Sequence, residues 1–89
     1  MKKFTARRHN NIRFIFAMEP PEYELLHIYA RHLTDEKDAI HAFLYGVSKW
    51  NKKHRRWETT DRKHTIYWNW ITVNKKVVII TCFTNNHII

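Results

Sequence analysis

Glycine occurs once in these 89 residues, cysteine once, proline twice and glutamine not at all. Each scarcity excludes something. A single glycine, Gly46, leaves no glycine-rich phosphate loop, no flexible linker and no collagen-like repeat. A single cysteine, Cys82, makes no internal disulfide, and such a composition suits a reducing cytosol. Zinc sites bring together pairs such as Cys-x2–4-Cys and His-x3–5-His. Cys82 and His87 lack a second cysteine, and His27 and His32 fall on different faces of one predicted helix, so no metal or other cofactor is expected. No apolar run approaches the roughly 18 residues that a membrane span needs, and the mean hydropathy is −0.61. The run 12–18 follows a basic start, but Arg13 interrupts it and no small-residue cleavage site follows, so no signal peptide is read. Nucleophile-elbow and Walker motifs are also missing.

What is abundant is positive charge. Sixteen Lys and Arg stand against eight Asp and Glu, a net +8 at pH 7. The charge is segregated along the chain. Residues 19–38 hold Glu19, Glu22, Glu24, Asp35, Glu36 and Asp38 against Arg31 and Lys37, a net −4, so the rest of the chain carries +12. An excess of this size predicts an anionic partner. A basic amphipathic helix is lacking, so nucleic acid is favoured over a membrane surface. The acidic stretch is a second expected surface, one suited to a basic protein.

Hydrophobic residues make up 44% and aromatic residues 15% of the chain, enough for one small domain with a core of its own. Residues 1–11 are polar and basic and read as a flexible arm or a strand lead-in. Residues 12–18 alternate and predict a strand, ended by Pro20-Pro21. Pro21, Glu22 and Glu24 suit a helix start, and Leu25, Leu26, Tyr29, Ala30 and Leu33 follow a helical period over 21–33. Thr34, Asp35 and Glu36 open a second predicted helix over about 35–52, with an apolar stripe of Ile40, Phe43, Leu44 and Val47. Residues 53–64 read as a charged loop or a frayed strand. The alternation in 65–73, the turn-prone Asn74-Lys75 and the β-branched run 77–83 predict a hairpin. The expected fold is therefore α+β: a small, mainly antiparallel sheet with two helices packed on one face.

The segment 49–63 is the first candidate site. Lys49, Lys52, Lys53, Arg55, Arg56, Arg62 and Lys63 are interleaved there with Trp50, His54 and Trp57. Cations meet phosphates, and flat rings stack on unpaired bases. The interleaving points to single-stranded or looped RNA before duplex DNA, whose bases are already stacked. Lys2, Lys3, Arg7, Arg8 and Arg13, with His9 nearby, form a second basic cluster. In the strand that holds Tyr67-Trp68-Asn69-Trp70, Trp68 and Trp70 are expected to face the helices and Tyr67, Asn69 and Ile71 a solvent or partner.

RNA binding without chemistry of its own, in an accessory or regulatory role, is thus the expected function. A metal-independent ribonuclease is the alternative. It needs a base, an acid and a cation at the phosphate, and His54, Glu58, Arg62 and His64 lie close in sequence. In layout, helices followed by a hairpin, the chain resembles the small ribonuclease toxins of the RelE and colicin-nuclease type. That resemblance implies an RNA-cleaving α+β domain. A further alternative is a protein-binding inhibitor with no nucleic-acid contact. Abundant Lys, Asn and Ile with almost no glycine suits an AT-rich genome and a phage or plasmid accessory protein acting in the host cytoplasm.

Overall fold

The computed structural model describes residues 3–85. Lys2 and His87 lie outside them. The chain runs β1 (Phe4–His9), β2 (Ile12–Ala17), α1 (His27–His32), α2 (Glu36–Tyr45), β3 (Val47–Asn51), β4 (Arg56–Thr60), β5 (His64–Thr72) and β6 (Lys76–Thr84). The six strands form one mixed sheet in the order β1-β2-β6-β5-β4-β3. Only β2 and β6 pair in parallel; every other neighbour is antiparallel.

The α+β class holds, and so does the 65–83 hairpin, whose strands extend by one residue at most ends. Three elements differ from expectation. Residues 4–9 are neither a flexible arm nor only a strand lead-in but a full strand, β1, zipped against β2 by a turn at Asn10-Asn11. Asn10 takes φ 55°, a conformation asparagine tolerates better than most residues. The first helix is six residues, not thirteen. Residues 19–26 instead make turns around a cis Pro20-Pro21 bond, with Met18 bridging back to Leu26. The second helix stops at Tyr45, so 47–51 is a strand and 56–60 is another.

Gly46 makes room for the tight turn at that stop. The chain turns there from helix to strand so closely that a Cβ would sit 2.5 Å from the Ala42 carbonyl oxygen and 2.7 Å from Thr59 Cγ2. Its φ is −84°, so the requirement is space and not backbone freedom. Gly46→Ala is expected to cost about 1–3 kcal/mol through overpacking, read as a lower urea midpoint at unchanged slope. A stability equal to wild type would mean that the approach relaxes freely. At its other end α2 is closed by a capping box, with Asp38 N–H donating to Asp35 Oδ1 and Asp35 N–H to Asp38 Oδ2.

Residues paired across strands share a face. One face carries Phe14, Phe16, Ile66, Trp68, Val77, Ile79 and Cys82, all buried, and α2 lies on it with Ala39 and Ala42 fully buried. Phe43 fills the centre, with its ring edge-on to Phe14 at 5.1 Å and to Trp68 at 4.8 Å. The second residue of α1, Ile28, joins the same core. After β2 ends, Thr34 covers the freed rim of β6 by donating its hydroxyl to the Cys82 carbonyl. A bulge at Ile80, between the pairs Tyr67–Thr81 and Trp68–Ile79, keeps both halves of β6 in phase with this core. Among the described residues no buried side-chain nitrogen or oxygen lacks a partner, and no helix is long and apolar enough to cross a membrane.

Among the described residues no helix lies on the other face of the sheet. That uncovered face, and one end of the strands, hold nine of the sixteen basic residues.

Candidate nucleic-acid interface

Register alone decides which turns are neighbours. The pairs His9–Ile12, Arg13–Lys76, Thr72–Lys76 and Asn51–Arg56 all lie at the same end of the sheet. Three turns therefore crowd together there: 10–11, 52–55 and 73–75. They bring Arg8, Arg13, Lys52, Lys53, Arg55, Arg56, Lys75 and Lys76 to one end, eight of the sixteen cations, and the residues 8–13, 51–56 and 72–76 contain no acid. The opposite end carries Glu19, Glu22 and Glu24 just past β2, so the molecule is polarised along its strands.

On the uncovered face the cations are in ranks. Arg8 stands directly opposite Arg13, and Arg13 directly opposite Lys76. Like charges in such positions repel and cost stability. None of the three has an acidic partner among the described residues. Next along the face are Ala6, Ile15, Val78 and Asn69, then Tyr67 and Glu58 with Lys49. The Arg56 guanidinium lies 3.7 Å from the Tyr67 ring centre and reaches Glu58 at 3.4 Å. Asn69 donates to the carbonyl of Arg55, which takes φ 55° at the close of the β3–β4 turn. The cationic turn is thus anchored to the middle of the sheet.

The structure divides the sequence-derived candidates. Lys52, Lys53, Arg55, Arg56, Arg8 and Arg13 come together at the basic end, and Lys49 joins them on the uncovered face. Lys75 and Lys76, which sequence reasoning passed over as a turn, complete the group; their signal was charge at a turn flanked by strands. Arg7 points to the other face and meets Glu36 at 3.6 Å. Lys3 lies at the opposite end, 4.9 Å from the Tyr23 ring. Arg62 and Lys63 sit in the β4–β5 turn, also at the far end.

The tryptophans divide too. Trp68 is buried, while Trp57 and Trp70 pack against the core at its margin. Trp57 stacks on Trp68 at 5.9 Å and 17°, so it is a core ring and not a free stacking platform. Trp50, on the edge strand β3, is 45% exposed and stands two residues from Lys52. Tyr67 lies on the uncovered face, as do Asn69 and the exposed Ile71.

For the ribonuclease alternative the geometry is unfavourable as first drawn. His54 is in the basic turn, where its backbone N–H donates to Asn51 Oδ1. Glu58 is mid-strand, and Arg62 and His64 lie beyond the far end of β4. These four side chains do not converge. Cys82 offers no nucleophile, since burial pushes its thiol up to about 11. Among the described residues no group of three His, Cys, Asp or Glu side chains is placed to hold a metal ion.

Three carboxylates are held below their ordinary range. Glu58 is lowered by the Asn51 amide, which outweighs the effect of burial, and then by Arg56. Glu19 is lowered chiefly by the Arg31 guanidinium and then by His27. Burial works to raise Asp61, but the His64 N–H, the His41 ring and the Lys63 N–H together outweigh it. A depressed folded-state value stabilises above the unfolded carboxylate value and is lost as pH falls through the folded one. The urea midpoint is therefore expected to be flat from pH 7 to about 5 and to fall below about pH 4. A midpoint that does not fall below about pH 4 would contradict these pairings.

Compared with known proteins, the chain matches no family model, and no curated protein or solved structure shows significant similarity to it. Its function therefore has to be argued from the geometry above.

Proposed function

We propose that this protein binds RNA, single-stranded or looped, at its turn-bearing end and along the uncovered sheet face. One observation carries the reading: three sequence-distant turns converge with eight cations and no acid. The rank Arg8–Arg13–Lys76 adds weight, because the repulsion it stores is relieved only when an anion lies across it. The half-buried Tyr67 on the uncovered face, and Trp50 exposed at the edge strand on the opposite face beside the basic turn, supply rings for unpaired bases. The polarised charge suits an accessory or regulatory role in the cytoplasm. The acidic part of the far end, built from the 19–38 segment, is then a face for a basic protein, such as an RNA-handling enzyme whose access to RNA the protein controls.

Salt dependence tests the phosphate contacts. Six neutralised phosphates on a single strand give a slope of log affinity against log salt of roughly −4. Fluorescence anisotropy with labelled single-stranded RNA at several salt concentrations measures it. Affinity that does not change with salt would overturn the reading and favour a protein partner.

A further inference from the structure

A cleft of about 680 Å³ opens at the far end of the molecule, between α2 and the β4–β5 turn. It lies away from the basic turns. From α2 it receives Lys37, His41 and Tyr45, spaced by four residues and so stacked along one helix face. From the turn it receives Asp61, Lys63 and His64. His41 Nδ1 is 2.8 Å from Asp61 Oδ2. Asp61 is itself fixed, its side chain only 7% exposed and accepting the backbone N–H groups of Lys63 and His64 at 2.8 and 2.6 Å. His64 Nε2 faces Asp38 Oδ2 at 3.8 Å, and Asp38 is one helical turn before His41. Two imidazoles, each beside its own carboxylate, therefore line one cleft. Lys37, Arg62 and Lys63 outnumber Asp38 and Asp61 around it.

A carboxylate on one ring nitrogen fixes an imidazole's tautomer and leaves the other nitrogen as the working atom, Nε2 in His41 and Nδ1 in His64. Among the described residues no serine or cysteine lines the cleft, and the Thr60 hydroxyl is engaged with that of Thr65 at 3.1 Å, so the nucleophile for such a pair comes from the substrate. RNA brings one, the 2′-hydroxyl beside each phosphate. A strand lying along the uncovered face past Lys49 also reaches the cleft, because Val47, two residues away on the same face of β3, and its cross-strand partner Thr60 line it.

We propose that this cleft cleaves RNA by transphosphorylation, with His41 and His64 as the acid–base pair. His41 takes the proton from the 2′-hydroxyl. The freed oxygen attacks phosphorus, the P–O2′ bond forms and the P–O5′ bond breaks. The His64 imidazolium gives its proton to the leaving O5′. One proton is taken and one given, and the products are a 2′,3′-cyclic phosphate and a 5′-hydroxyl. Lys37 and Lys63 offset the charge that builds on the phosphoryl oxygens. Asp61 is a positioning residue that holds His41.

The proposal takes its substrate from the RNA-binding reading, so the test measures binding and cleavage separately. The full chain is incubated in EDTA with end-labelled single-stranded RNA, and with the same sequence 2′-O-methylated throughout. Wild type is expected to cut the first, leaving cyclic phosphate ends with a bell-shaped pH profile, and to bind the second uncut. His41→Gln and His64→Gln are each expected to slow cleavage on the order of 10²–10⁴-fold with RNA affinity unchanged. His41 is exposed, so His41→Gln carries the test should the His64 variant fold poorly. Wild type that binds RNA and leaves it intact overturns the catalytic proposal and spares the binding one. Cleavage at equal rates in wild type and His41→Gln also overturns it. A wild type that neither binds nor cuts overturns both.

Discussion

Replacing Arg13 with glutamate is expected to make the protein more stable and a poorer RNA binder at once. Arg13 is the middle of three cations that face one another across β1, β2 and β6. In wild type both contacts are repulsive. In Arg13→Glu both become attractive, toward Arg8 on one side and Lys76 on the other. Directly opposed pairs are worth about 0.2–1 kcal/mol each, with the sign set by the charges. Reversing two of them is expected to add roughly 1 kcal/mol, or about 4–8 °C in Tm for a domain of this size. The same change removes one phosphate contact and places a negative charge in the middle of the rank. The salt slope is expected to become shallower by about 0.7, as loss of one single-strand contact requires, and affinity at low salt to drop by about 10–100-fold. Thermal melting and anisotropy on the same preparation read both effects. A gain in stability with unchanged affinity would mean that RNA does not cross this rank. A loss of stability would mean that the repulsion is already relieved within the protein.

Local periodicity made much of the sheet legible. Ile12 to Ala17 and the hairpin of β5 and β6 were readable because alternation and a turn-prone Asn74 agree there. The side of Trp68 and Trp70 followed from the same alternation. The helices were overextended for physical reasons. Helical spacing of Leu25, Leu26 and Leu33 counts as a signal in sequence, yet Leu25 and Leu33 are 52% and 79% exposed and only Ile28 is buried. The run Val47 to Asn51 carries no strand alternation of its own; it is an edge strand whose place is set by pairing with β4 and by the space Gly46 leaves. The basic site was half-legible. Charge density marked the segment 49–63, but only register shows that its two halves lie at opposite ends of β4, and that Arg13 and Lys76 belong with the first half. The cleft was hidden, because reading α2 for its apolar stripe passes over the polar one formed by Lys37, His41 and Tyr45.

Trp68→Ala is expected to cost about 3–5 kcal/mol of folding stability, the range for a large buried aromatic. The ring is 4% exposed. It meets Phe43 at 4.8 Å and Trp70 at 5.1 Å edge-on, and Trp57 lies stacked beside it. Its Nε1–H donates to Thr59 Oγ1 at 2.8 Å, within the core. Small domains hold only about 5–15 kcal/mol in all, so this variant approaches the limit of folding at room temperature. Trp68→Phe separates the contributions, since it keeps a ring and loses the hydrogen bond, at a cost nearer 1 kcal/mol for that bond. Trp50→Ala makes the opposite case. That ring is 45% exposed on an edge strand and touches Trp57 from one side only. It is expected to cost less than about 1 kcal/mol of stability, as surface substitutions do. Its expected effect is on RNA, a loss of about 1–3 kcal/mol for one stacked base. Urea denaturation and RNA binding measured on both variants set the two rings apart. A Trp50 variant as unstable as the Trp68 variant would make Trp50 a core ring, and one that binds RNA like wild type would leave Tyr67, under the Arg56 guanidinium, as the ring on which a base stacks.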